Sequence, residues 1–207
     1  MNLNRILILS PHTDDAEFGC GALISKSKRE GFEVRIVTFS ICEESVPEGY
    51  EKDVLLKECK KSNSLMGVDK HYDFRYRVRY FHENRQDILE HMVSINKEYK
   101  PTLVCTPSVN DIHQDHKVIC EESIRAFKKT SIIGYTLPWN LLTNNTNMFI
   151  DVDEEDVLNK VKYVNTYKSQ GFRPYSSFEH ITSNLRLIGS NIGKEYCEPY
   201  EIIRLII

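Results

Sequence analysis

The chain opens on a short apolar run, Ile6-Leu7-Ile8-Leu9, that breaks at Ser10-Pro11 into His12-Thr13-Asp14-Asp15-Ala16-Glu17. A run that short, closed by a proline, predicts a buried strand, so the polar cluster emerges at the strand's C-terminal end. In open α/β sheets that end is where ligands bind. One imidazole and three carboxylates within six residues are costly to bury, because each unpaired buried charge costs several kcal/mol or is neutralised by a pKa shift. A bound cation resolves the conflict. The same grammar returns later, where an apolar run over 102–106 gives way to Pro107-Ser108-Val109-Asn110-Asp111-Ile112-His113-Gln114-Asp115-His116.

Between and after these two knots, periodicity alternates between strand and helix. Strands are predicted over 5–10, 32–41, 102–106, 131–137, 148–152 and 201–207. Helices are predicted from the first knot to Gly31 and over 51–66, 85–99, 116–128, 153–168 and 179–187. Phe74, Tyr76, Val78 and Tyr80 alternate with Arg75, Arg77 and Arg79, which predicts a half-buried strand whose arginines are solvated or grip an anion. Alternating strands and helices without repeat or linker predict a single domain over 1–207, Rossmann-like α/β, with a mostly parallel sheet and helices on both faces.

Composition narrows the function classes. At 207 residues one well-buried core suffices. A net charge of -3 gives no reason to expect nucleic acid as a partner. No apolar run is long enough for a membrane span, so a cytoplasmic protein is the expectation. The six cysteines show no close-paired spacing; Cys59, Cys105 and Cys120 fall inside apolar patterns and are expected to be buried thiols.

A catalytic zinc site takes three His or carboxylate ligands and leaves a position for water. His12 and Asp15 on the turn after the first strand, with His116 after the later one, supply such a set, and another divalent transition metal would also fit it. Asp14, beside a ligand, is the candidate general base. His113 suits a second imidazole that stays off the metal and donates to an oxyanion, with Asp115 holding it in the right tautomer. Glu17 is expected behind a ligand histidine. Trp139 is a stacking platform for a ligand or a packing residue, and Arg85 binds substrate or starts a helix. Taken singly, an Asp-Asp pair is usually helix N-terminal charge and a His-x-x-His a surface feature; two such motifs at two strand ends point to one site.

Pro11-His12-Thr13-Asp14-Asp15-Ala16-Glu17, Gly19-Cys20-Gly21-Ala22 and His113-Gln114-Asp115-His116 resemble the signatures of the PIG-L/LmbE-like zinc-dependent N-deacetylases. Thr13 stands where that family has proline. The resemblance implies a Rossmann-like fold, His12, Asp15 and His116 as zinc ligands, Asp14 as base, and His113 as transition-state stabiliser tuned by Asp115. It also implies an N-acetylglucosamine-type amino sugar or glycoconjugate as substrate. A homo-oligomer is admitted, with residues 74–80 as an interface. Three other readings compete: a nucleotide-binding Rossmann protein using Gly19-Cys20-Gly21, a non-catalytic sugar-binding protein, and an amidohydrolase of a non-sugar N-acyl substrate.

Overall fold

The structure, a computed structural model, describes residues 3–207. Among them seven strands form one sheet in the order β3-β2-β1-β4-β5-β7-β6. β1 (Arg5–Ser10), β2 (Glu33–Thr38), β3 (Lys70–Asp73), β4 (Leu103–Pro107) and β5 (Ser131–Tyr135) are parallel. β7 (Tyr196–Arg204) lies antiparallel between β5 and β6 (Met148–Val152). The helices are α1 (Asp15–Arg29), α2 (Val54–Met66), α3 (Arg85–Tyr99), α4 (Gln114–Ala126), α5 (Glu154–Val164) and α6 (Phe178–Ser190).

The central strands are apolar on both faces, and successive side chains point to opposite layers. Ile6 and Ile8 of β1 pack with α1, α5 and α6, whereas Leu7 and Leu9 pack with α3 and α4. Helices therefore cover both faces of a mostly parallel sheet, the α/β architecture that the alternating pattern predicts. All six cysteines are buried and free.

Residues 74–80 depart from the strand reading. β3 ends at Asp73, and beyond it Phe74 and Tyr76 donate their N–H groups to Thr38 O and Phe39 O at 2.8 and 3.0 Å. The alternation itself is real, with Phe74 and Tyr76 half-buried, Val78 buried and the three arginines exposed. What stops the ladder is that β2 ends at Thr38 and that Arg79 takes a φ of 72°, a left-handed conformation foreign to strands. β7 also begins earlier than predicted, at Tyr196, because Glu198 and Pro199 disguise a strand whose buried face includes a charged residue.

Gly19-Cys20-Gly21 is buried inside α1. A Cβ on Gly19 would lie 2.3 Å from the Tyr135 ring, and one on Gly21 would lie 2.7 Å from Lys160 Cγ. The motif is there for close packing, which removes the nucleotide-loop reading. The closeness brings a buried ion pair onto the helix backbone: Lys160 Nζ donates to Phe18 O at 2.5 Å and to Glu198 Oε1 at 2.6 Å. Glu198 in turn accepts the N–H groups of Ala22 and Leu23 at 3.1 and 2.8 Å and the Tyr200 hydroxyl at 2.7 Å.

β1 and β4 are neighbours, and the strand order reverses between them. Connections leaving such a switch point diverge to opposite faces and open a crevice at the strands' C-terminal ends. Both polar knots of the sequence lie there.

Candidate active site

The turn after β1 is set by its own polar groups. Ser10 Oγ donates to His12 O at 2.6 Å and accepts Ala16 N–H at 3.1 Å, while Asp15 Oδ2 accepts His12 N–H at 2.8 Å. The turn after β4 is held from β7, where Glu201 Oε2 accepts the Ser108 hydroxyl at 2.8 Å and Val109 N–H at 3.2 Å. Asp111 Oδ1 then accepts His113 N–H at 2.8 Å, aiming the start of α4 at the crevice.

These two turns bring His12 Nδ1, Asp15 Oδ2 and His116 Nε2 into a nearly equilateral triangle, with separations of 3.2, 3.3 and 3.2 Å. Donors bound tetrahedrally to zinc at about 2.0–2.1 Å sit about 3.3 Å apart, so the triangle fits one face of a zinc shell. The outward nitrogens complete the fit. His116 Nδ1 faces Asp111 Oδ2 at 2.7 Å and His12 Nε2 faces Asp115 Oδ2 at 3.1 Å. A carboxylate only accepts, so the ring proton of each neutral histidine lies on that outward nitrogen and a lone pair points into the triangle.

The electrostatics also call for positive charge between these donors. Burial alone would raise Asp15, but the two imidazoles outweigh it and hold Asp15 well below the usual carboxylate range. Burial alone would lower His116, but Asp15 and Asp111 push it up to about 10. His12 is raised as well, by Asp15 and Asp115 against burial.

The donor nitrogen of His113 also comes within 4.8 Å of those of His12 and His116, a looser set than the triangle. Its Nδ1 accepts the Asp115 backbone N–H at 3.2 Å, so its proton sits on Nε2 when the ring is neutral. Burial, with His12 and His116 beside it, lowers its pKa to about 4. The expectation that the Asp115 carboxylate orients His113 needs correction: that carboxylate engages His12 Nε2, Arg79 N–H at 2.6 Å and Phe81 N–H at 3.4 Å. Only the backbone of Asp115 reaches the His113 ring.

Asp14 makes no capping bond to α1, and it lines a cleft of about 380 Å³ shared with His12, His113 and His116. Burial and the adjacent Asp15 raise its pKa, with Arg173 and His12 acting in the opposite direction. The result is a more basic carboxylate than an exposed one. Glu17 reaches no ligand histidine through a hydrogen bond among the described residues. It meets Tyr167, whose hydroxyl bonds both Thr13 O and, at 2.9 Å, Glu17 Oε1. One hydroxyl carries one proton, and a carbonyl can only accept, so Glu17 donates the second bond as a neutral acid. Burial pushes its pKa up to about 8, in agreement.

Trp139 stacks on Tyr175 with centroids 3.9 Å apart and planes at 13°, and Phe18 meets its edge. Trp139 and Tyr175 both line the cleft, so Trp139 packs and presents an aromatic wall at once. Arg173 bonds Gln170 Oε1 at 2.7 Å and the Tyr175 hydroxyl. Arg85 instead ties α3 to α4 through Glu121 and Glu122 at 2.7 and 2.5 Å. Sequence reasoning gave no role to Asp111, although its place two residues before His113 inside the second knot was the available signal. It also left Tyr167, Arg173 and Tyr175 without roles, since they lie far from either motif and carry no spacing signature.

The model of the PIG-L family, GlcNAc-PI de-N-acetylase, matches residues 7–127, more than half of the chain, and the chain belongs to that family. It is 24% identical over 170 residues, 79% of its own length and 90% of the relative's, to the uncharacterized deacetylase YaiS of Escherichia coli strain K12. N,N'-diacetylchitobiose deacetylase from Pyrococcus horikoshii superimposes with a TM-score of 0.79 at 22% identity, covering 97% of this chain and 84% of that one. The A40926 pseudoaglycone deacetylase Dbv21 gives 0.80 at 19% identity, with full coverage of both chains.

Proposed function

We propose that the chain is a zinc-dependent hydrolase that removes the acetyl group from the nitrogen of an N-acetylglucosamine-type amino sugar or its conjugate. The triangle of His12 Nδ1, Asp15 Oδ2 and His116 Nε2, with Asp14 beside it in the same cleft, is the observation that carries this reading. Family membership supports the amide chemistry. The N,N'-diacetylchitobiose named for one structural neighbour supports an amino sugar, as does the Trp139–Tyr175 wall, since aromatic faces suit the apolar face of a sugar ring.

His12, Asp15 and His116 would hold the zinc, which when bound would supply Lewis acidity towards the amide carbonyl and would bring the pKa of water from about 15.7 towards about 7. The remaining steps belong to the protein. Asp14 accepts a proton as water attacks the carbonyl carbon. His113 donates from Nε2 to the oxygen on which negative charge develops. Asp14 then returns its proton to the sugar nitrogen as the C–N bond breaks, giving acetate and the free amine. Asp111 and Asp115 keep the two ligand imidazoles in the tautomers that this requires.

The test is deacetylation of N-acetylglucosamine derivatives, free, glycosidic and nucleotide-linked, by the zinc-loaded protein, with metal analysis alongside. Release of acetate by wild type, lost in His116→Ala together with bound zinc, is the expected result. Binding of zinc by the wild type without hydrolysis of any N-acetyl sugar would overturn the substrate class.

A further inference from the structure

Three arginines alternate along 75–79, and two of them are neutralised. Arg75 Nη1 lies 2.6 Å from Glu43 Oε1, and Arg77 Nε lies 3.0 Å from both carboxylate oxygens of Glu44. The Arg79 guanidinium has no carboxylate within ion-pair distance and no hydrogen-bond partner among the described residues, and Arg79, an exposed residue, is one of those lining the cleft that holds Asp14 and the donor triangle. Among the described residues, apart from Asp14, Asp15 and the histidines, the only charged residues lining that cleft are Arg79 and Arg173. Arg173 is already turned onto Gln170 and Tyr175.

The Arg79 backbone adds an independent observation. Its φ of 72° is unfavourable for a residue with a side chain, and such conformations persist only where the surroundings enforce them. Here the enforcement is visible: the Arg79 N–H donates to Asp115 Oδ2 at 2.6 Å, between buried Val78 and fully buried Phe81. A pinned backbone thus holds an unpaired arginine at the wall of the cleft, and a guanidinium fork matches the oxygens of a carboxylate or phosphate.

We infer that Arg79 forms an anion-binding subsite of this cleft and that the N-acyl amino sugar it serves is acidic, bearing a carboxylate or a phosphate. The inference rests on the deacetylase reading above for the identity of the sugar, and on Arg79 alone for the anion. It departs from the solvated-face alternative for the three arginines only at Arg79.

The experiment compares N-acetylglucosamine, its 6-phosphate and the corresponding uronic acid as substrates of zinc-loaded wild type, Arg79→Ala, Arg79→Asn and Arg75→Ala. Asparagine tolerates the left-handed backbone and so separates loss of charge from loss of fold. Calorimetric binding of the matching amine products provides a readout without turnover. The expected kcat/KM is at least about tenfold higher for one acidic substrate than for the neutral one, the scale of a charged hydrogen bond. Both Arg79 variants should lower that ratio at least about tenfold, mainly through KM, while Arg75→Ala leaves it unchanged. Preference for the phosphate or for the uronate identifies the anion. A wild-type ratio near unity, or a ratio that survives loss of Arg79, overturns the subsite even if hydrolysis is fast. Tight Arg79-dependent binding of an acidic amine product without hydrolysis of any substrate upholds the subsite and unseats the deacetylase reading.

Discussion

Asp14 and Asp15 are adjacent in sequence yet differ in environment: Asp15 is wedged among imidazoles that depress its pKa, while Asp14 is raised. One residue is suited to hold a cation, the other to take a proton. Asp14→Asn should therefore lower kcat by about 10²–10⁴, the usual contribution of a general base, with bound zinc and far-UV circular dichroism unchanged. Glu17 gives a prediction of a different kind. Its pKa rises from 4.5 in the free residue to about 8 in the fold, so the folded state keeps a proton that the unfolded chain releases. The stability this proton confers is complete below about 4.5 and is lost as pH rises through about 8. Glu17→Gln keeps a donor for Tyr167 and cannot ionise, so its unfolding free energy from urea titration at pH 9 should exceed that of wild type by up to about 5 kcal/mol and the difference should vanish near pH 4. Both carboxylates were legible as chemistry in the first knot, but the destination of Glu17 was not. Its partner Tyr167 is about 150 residues away, and no local pattern announces so distant a contact.

At the scale of elements, α1 carries the densest constraint. Its glycines admit the Tyr135 ring and the Lys160 stem, and the Lys160–Glu198 pair then bonds the helix backbone directly. Removing one partner leaves a buried charge and unmet backbone groups. Glu198→Leu should cost about 3–5 kcal/mol in urea unfolding, and Lys160→Met combined with Glu198→Leu should cost less than the sum of the single changes. Helices and strands with clean periodicity were placed well from sequence, α3 over 85–99 most of all. The misplaced segments share a cause. Residues 74–80 have a strand's alternation without a strand's partner, and β7 has a strand's pairing without its alternation, because tertiary contacts decided both. The donor triangle is the converse case. Both turns could be read locally, and the parallel order that joins them follows from strand and helix alternation, so the meeting of the two turns could be expected from the chain.

For the whole molecule, the zinc reading implies that folding and metal binding reinforce one another, since the three donors converge only when β1 and β4 lie side by side. Chelation should lower the unfolding midpoint without abolishing the fold, which has two apolar layers of its own. Zinc at a hundred times its dissociation constant should add about 2.7 kcal/mol to the unfolding free energy. No helix among the described residues is long and apolar enough to cross a membrane.

A single oxygen, Asp115 Oδ2, accepts both the ring N–H of His12 and the backbone N–H of Arg79, and so joins the two ends of the cleft. A ligand held at Arg79 and a metal held by His12 would therefore share one carboxylate oxygen between them. Thermodynamic reciprocity then applies: whatever factor zinc adds to the affinity for an acidic sugar, the sugar must add to the affinity for zinc. If that factor exceeds one, the metal is held most firmly while the cleft is occupied. Trace-metal limitation would then strip idle molecules before working ones.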